Sequence, residues 1–301
     1  MRIVVFGAGS LGSLVGGILA REPTTEVTLV GRDPHVSAVC ESGLEVAGEY
    51  ETTVEPDATT DGTGLEADLA VVAVKSFDTE GAAETLATGD YDVVLSLQNG
   101  MGNEETLAAH LERPVLAGTA SYGAVLNEPG RVECTGVGEI VLGPRDGGRS
   151  DRADRIGDLF ESAGLETTVA ADMPRRLWVK LAVNAGINPV TALARVENGA
   201  VLDVGTNDLA RSAARETARI ARSCDVRLSN REAVAQLEAV ASDTAANTSS
   251  MLQDVLAGRR TEIDAINGYV VDRAIEAGLE VPTNRLLASL VSTWERGQGL
   301  R

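Results

Sequence analysis

Up to about residue 172 the chain alternates short apolar runs with helical stretches, the pattern of a parallel sheet joined by crossover helices. The runs Arg2 to Phe6, Glu26 to Val30, Asp68 to Val74, Asp92 to Leu97 and Val115 to Gly118 are the candidate strands. Shorter glycine-bounded pieces follow at Ala120 to Leu126, Gly130 to Thr135 and Glu139 to Leu142, and suggest an antiparallel extension. Asp151 to Ala163 then reads as a helix and Leu165 to Val169 as a last strand. From Pro174 the period changes to long amphipathic stretches with almost no strand-like alternation. Pro174 suits a first helical turn, where its missing N–H is no loss. Further helices are expected at Thr206 to Cys224, Arg231 to Leu256, Glu262 to Ala277 and Asn284 to Gln298. Thr261-Glu-Ile-Asp264 reads as a capping box for the third of these and Gly278 as its stop. The division predicted is an α/β domain with a largely parallel sheet over 1–172, followed by an all-helical domain over 173–301.

Gly7-Ala8-Gly9-Ser10-Leu11-Gly12 is a GxGxxG that follows the first apolar run and opens a helical stretch, with a second strand about a dozen residues later. In that context its glycines let backbone approach a pyrophosphate, whose charge faces the N–H groups of a helix start. The alternative is a glycine-rich turn without a ligand. At the end of the second strand stands Gly31-Arg32-Asp33. Arg32 offers a fork for a 2′-phosphate, which favours NADP(H), while Asp33 keeps NAD(H) open. Lys75 ends an apolar run, and Asn99-Gly-Met-Gly102 follows the next one; both fall at the carboxyl rim where such sheets carry ligands. Asn99-Gly100 is equally a frequent turn pair.

Composition narrows the chemistry. Only two of the 26 basic residues are lysine, Lys75 and Lys180. A buried lysine can surrender a proton, which arginine cannot, so a retained lysine is a candidate acid. The formal net charge of -19 argues against a nucleic-acid partner. An acidic, lysine-poor chain fits a salt-loaded cytoplasm, where a short screening length tolerates crowded carboxylates. Cys40, Cys134 and Cys224 are odd in number and unclustered, and the only histidines are His35 and His110. A disulfide framework and a Cys/His metal site are both disfavoured, and a reducing cytoplasm fits. No apolar stretch reaches the ~18 residues a membrane span needs.

On a helix beginning near Pro174, Lys180, Asn184 and Asn188 share one face at i, i+4 steps, and Pro189 is expected to end or kink that helix. A polar stripe among Leu, Ala, Val and Ile marks function or a structural hydrogen-bond network, because burying it is costly unless each group is paired. Asn247, Ser250 and Asp254 would form a second polar row, and Glu262 would lie in a first helical turn, where the helix dipole favours its carboxylate.

These residues carry a family resemblance. The Gly7 fingerprint, Asn99-Gly-Met-Gly102, Trp178-Val-Lys-Leu-Ala-Val-Asn184 through Asn188-Pro189-Val-Thr-Ala192, Ser249-Ser-Met-Leu-Gln-Asp254 and Thr261-Glu-Ile-Asp-Ala-Ile-Asn-Gly268 together resemble the ketopantoate reductases, from residue 1 to about 285. The resemblance implies a Rossmann-type domain, a helical domain, an active site in the cleft between them, and NADPH-dependent reduction of 2-dehydropantoate to (R)-pantoate on the route to coenzyme A. It implies Lys180 as general acid and Glu262 as a catalytic group that binds substrate and contacts the cofactor. Asn99, Asn184, Asn188, Asn247 and Ser250 would hold the substrate. Residues 7–12, Arg32, Lys75, Asn99 and Ala124 would hold NADP(H). A homodimer through the helical domain is a further expectation. The rival readings are another 2-oxo or 3-hydroxy acid dehydrogenase of the same build, and a non-catalytic NADP-binding regulator.

Overall fold

The computed structural model describes residues 1–301, which divide into two units: 1–98 with 103–173, and 99–102 with 174–301. The strands of the first unit are β1 (Arg2–Phe6), β2 (Glu26–Val30), β3 (Leu44–Gly48), β4 (Thr52–Val54), β5 (Asp57–Thr59), β6 (Glu66–Val72), β7 (Asp90–Ser96), β8 (Val115–Ala120), β9 (Gly123–Glu128), β10 (Arg131–Gly136), β11 (Ile140–Pro144) and β12 (Thr167–Val169). Its helices are α1 (Ser10–Leu19), α2 (His35–Ser42), α3 (Thr79–Leu86), α4 (Asn103–His110) and α5 (Asp151–Ala163). Eight strands make one sheet in the order β12-β11-β8-β7-β6-β1-β2-β5. β1 pairs in parallel with both β2 and β6, so the strand order reverses beside β1.

Alternation along β1 sends Ile3 and Val5 to one apolar cluster and Val4 and Phe6 to another, which buries both faces of the sheet. Leu14, Val15, Ile18 and Leu19 of α1 join the first cluster at 0% exposure. At ~1.5–3 kcal/mol for each buried side chain, they contribute at most roughly 6–12 kcal/mol and fix the helix that the glycine fingerprint opens. Ala83, Leu86 and Leu107 of α3 and α4 cover the other face.

The expected antiparallel extension is divided between two sheets. β11 runs antiparallel to β8 in the main sheet, whereas β9 and β10 join β3 and β4 in a separate sheet of order β4-β3-β10-β9. The chain's pattern predicts no element at β3, β4 or β5, the last being an edge strand of the main sheet. Leu44 and Val46 alternate with exposed Glu45, but their partner is β10, some 85 residues on, in parallel register Arg131 to Glu45.

The second unit holds no strand. It comprises α6 (Met173–Ala194), which starts on the last residue of the first unit, then α7 (Thr206–Ser223), α8 (Asn230–Asp243), α9 (Ser250–Leu256), α10 (Tyr269–Ala277) and α11 (Pro282–Gly297). Two helical expectations need correction, and a third is narrowed. The helix expected over Arg231 to Leu256 is two helices, because the backbone N–H groups of Asn198 and Gly199 bond the carbonyls of Asn247 and Ala245 and hold the chain off helical geometry. Asn247 therefore precedes α9 and does not share a helical row with Ser250 and Asp254.

The helix expected from Glu262 begins with a π-helical segment, Asp264–Gly268, where the Gly268 N–H reaches the Ile263 carbonyl. Only part of its capping box forms: Thr261 Oγ1 accepts the Ile263 N–H at 3.3 Å, but buried Glu295 accepts both the Thr261 N–H (2.7 Å) and the Thr261 hydroxyl (2.6 Å), while Asp264 pairs with Arg260 and Arg301. Pro189, finally, does not end its helix, which continues to Ala194. Proline cannot donate to the carbonyl four residues back, that of Ala185. The Asn267 amide donates to that oxygen instead, at 3.0 Å.

Candidate active site

In the first unit, the Gly7 to Gly12 segment lies at the reversal of strand order. The N–H groups of Gly7 and Ala8 both bond the Val30 carbonyl (2.9 Å each), and Gly7 has φ +102°. A Cβ on Gly7 would lie 2.5 Å from the Val74 nitrogen, and one on Gly12 would lie 2.1 Å from the Gly7 carbonyl oxygen. Only glycine lets these backbones approach so closely. At Gly9, by contrast, a Cβ would meet nothing within 4 Å, and α1 begins there without a side-chain cap. Tight backbone behind and open space in front fit a dinucleotide pyrophosphate lying against the helix start. Ser10 is held from outside: its Oγ accepts the Leu126 N–H of β9 at 3.0 Å, and Ala124 sits half-buried two residues earlier on that strand.

Buried His35 stiffens the same region. Its Nδ1 accepts the Gly130 N–H (3.0 Å) and its Nε2 meets the Ser13 hydroxyl (3.0 Å). Burial lowers its pKa from the usual 6.5, in keeping with a neutral ring that uses one nitrogen as acceptor.

Arg32 is exposed at the end of β2, and its guanidinium donates to Asp78 at 2.8 Å. Asp33 is engaged at the start of α2, accepting from the Ser37 N–H (3.2 Å) and hydroxyl (2.7 Å). Lys75 is half-buried just beyond β6. The turn that follows it rests on buried polar groups absent from the sequence reading: Gln98 donates to the Val74 carbonyl (3.2 Å) and the Thr79 hydroxyl (2.7 Å), and Thr79 Oγ1 lies 2.8 Å from Asn103 Oδ1. The only sequence signal was polar Gln98 and Thr79 beside apolar strand ends.

In the second unit, α6 is buried nearly all round. Lys180 and Asn184 are half-buried and Asn188 is 6% exposed, so the polar stripe lies within an otherwise apolar helix. Thr191, one turn on from Asn188, meets the Ser249 hydroxyl at 2.7 Å; Ser249 caps α9 by accepting the Leu252 N–H, which places Ser250 at the first position of that helix.

The segment bearing Glu262 is bound to α6 at two points. Trp178 packs on Tyr269 with centroids 5.9 Å apart, and Asn267 holds the Ala185 carbonyl. These contacts bracket Lys180 and Asn184 along α6.

Glu262 is 6% exposed. Asn99 Nδ2 lies 3.5 Å from its carboxylate, the long limit of a hydrogen bond. The Met101 N–H donates to the Ala265 carbonyl at 2.9 Å, and Gly100, with φ +82°, is the position where a Cβ would lie 2.5 Å from the Ala265 Cβ. Asn99 and Glu262, 163 residues apart in sequence, are thus brought together. Asn247 is exposed and is held through its backbone to Asn198 and Thr244.

A dinucleotide cradle at a reversal of strand order, followed by a helical unit with a half-buried lysine, is the build of a nicotinamide-dinucleotide oxidoreductase acting on a small molecule. Residues 3–147 match the family model described as ketopantoate reductase PanE/ApbA, and residues 172–295 match that of its C-terminal part. The chain is 43% identical over 303 residues to a 2-dehydropantoate 2-reductase of Halobacterium salinarum, covering 98% of this chain and 99% of the relative. It is 39% identical over 301 residues to one of Pyrococcus horikoshii, covering 98% of each. A crystal structure of a PanE/ApbA family ketopantoate reductase from Ralstonia eutropha superposes with a TM-score of 0.91 at 32% identity, covering 99% of this chain and 100% of that one. The chain belongs to the ketopantoate reductase family. No helix is long and apolar enough to cross a membrane.

Proposed function

We propose that this chain reduces 2-dehydropantoate to (R)-pantoate with NADPH, in the cytoplasm and on the route to coenzyme A. The observation that carries this reading is the Lys180, Asn184, Asn188 stripe on α6, bracketed by the two contacts that bind the Glu262 segment to the same helix. Residues 7–12, Arg32, Lys75 and Ala124 would hold the cofactor, whose reduced nicotinamide supplies the hydride when bound. Lys180 stabilises the negative charge growing on the ketone oxygen, then gives that oxygen a proton, leaving a neutral amine that solvent reprotonates. Glu262 and Asn99 form an acceptor and donor pair suited to the substrate hydroxyl. Asn184, Asn188 and Ser250 supply donors for its carboxylate; Asn247, exposed ahead of α9, would contribute from the rim. Water must be excluded for the ammonium to act strongly, which its half-buried position favours.

The test is NADPH consumption with 2-dehydropantoate, in molar KCl and in dilute buffer. Turnover that requires the substrate and rises with salt supports the reductase together with its halophilic composition. Lys180→Ala is expected to lower kcat by ~100-fold or more. Lys180→Arg keeps the charge but holds its proton too tightly to serve as the acid. Near-normal turnover in Lys180→Arg overturns the assigned role. Intact cofactor binding with preference for a simpler 2-oxo acid would retain the acid and replace the substrate.

A further inference from the structure

Asp78 occupies the N-cap position of α3 yet makes no side-chain cap bond there. It is also the last residue of a tight helical turn, Ser76–Asp78, that runs straight into α3, with its N–H on the Lys75 carbonyl at 2.8 Å, and its carboxylate reaches out to Arg32 at 2.8 Å. The pair is exposed, with side chains 84% and 36% accessible, so it adds little to stability. Its two members are anchored unequally. Arg32 is a long side chain in solvent, whereas Asp78 sits on the turn fixed by Gln98, Thr79 and Asn103. The position of the guanidinium is therefore set by the carboxylate.

We infer that Asp78 determines cofactor specificity, its charge opposing a 2′-phosphate at Arg32 and so holding the preference for NADPH over NADH below what Arg32 alone would give. The inference rests on Arg32 being the 2′-phosphate ligand. A phosphate taken up on the free edge of the guanidinium would lie roughly 6 Å from the carboxylate, given a contact of hydrogen-bond length on each side. NADH brings no such charge.

Dissociation constants for NADPH and NADH, read by fluorescence titration without substrate, test this in Asp78→Asn and Arg32→Ala. The buffer is dilute, with sucrose to support the fold, and KCl is then raised. Asparagine keeps an acceptor for Arg32 and removes the charge. The NADPH-over-NADH affinity ratio is expected to rise about 3- to 10-fold in Asp78→Asn, from Coulomb repulsion at that separation in water with partial screening. The gain should vanish in molar KCl, where the screening length falls to about 3 Å. A ratio that is unchanged or lower in Asp78→Asn, while Arg32→Ala abolishes NADPH preference, overturns the inference and spares the cofactor reading. A ratio unchanged in Arg32→Ala removes both.

Discussion

Replacing Asn267 by alanine should be among the most damaging changes in the second unit, although this side chain is not assigned to substrate or cofactor. Its amide donates to the Ala185 carbonyl and to Asn284 Oδ1, each at 3.0 Å, and all of Asn267 is buried. Truncation leaves two acceptors without this donor at about 1–3 kcal/mol each. Asn284 keeps its other bonds, to the Ala213 carbonyl and Glu216. A total of about 2–6 kcal/mol follows, with the upper end reduced because truncation also removes the buried, unpartnered Asn267 Oδ1; it is a large part of the ~5–15 kcal/mol that holds a typical domain.

The cause can be isolated with Pro189→Ala, which restores an N–H able to reach Ala185. In the Asn267→Ala background it should recover at least ~1 kcal/mol more than it contributes alone. The effect of proline on the unfolded chain cancels in the cycle, since it is common to both backgrounds. Urea unfolding at fixed KCl, followed by tryptophan fluorescence, reports on this unit because both tryptophans, Trp178 and Trp294, lie in it. Additivity of the two substitutions within ~0.5 kcal/mol would refute the compensation of Pro189 by Asn267.

Two further outcomes are expected. Because burial lowers the His35 pKa below 6.5, the unfolded chain binds the extra proton first as pH falls; the stability His35 contributes is full above about 6.5 and lost as pH drops below it. Urea midpoints at pH 8 and 5.5 should fall less in His35→Asn than in the parent, and equal slopes would contradict this. Gly100→Ala places a Cβ against Ala265 at a positive φ, so it should displace Asn99 and raise KM for the oxo acid more than it changes NADPH affinity; steady-state kinetics with an unaltered KM would show that the loop tolerates the side chain.

The central strands of the main sheet were legible because they are continuous apolar runs and the first turn has glycines with a steric reason to be there, whereas the edge strand β5, Asp57-Ala-Thr59, is too short and polar to show. What escaped depends on partners distant in sequence. Thr244 to Ser249 contains neither glycine nor proline, and its local stop signal is the weaker one of Ser249 as the cap of α9; the bonds from Asn198 and Gly199 that fix the break are distant in sequence. Thr261 keeps a cap bond from the Ile263 N–H, but Glu295, 34 residues away, takes the Thr261 N–H in place of Asp264. In the candidate site the face shared by Lys180, Asn184 and Asn188 followed from helical period alone. The proximity of Asn99 to Glu262 did not, since it depends on how residues 99–102 dock on the π-helical segment. Pro189 did carry a readable clue: a proline inside a continuing helix implies a carbonyl at Ala185 that something else must satisfy.

Residues 99–102 lie amid the sequence of the first unit but belong to the second. The inheritable module is consequently not a contiguous stretch of chain. A chimaera joining residues 1–173 of one relative to the remainder of another would bring its own tetrapeptide to a foreign π-helical segment, and the lock formed by Gly100, Met101 and Ala265 would have to match across the join. Exchange of halves between relatives is thereby constrained at a point far from the apparent boundary, and positions 100 and 265 should change together or not at all.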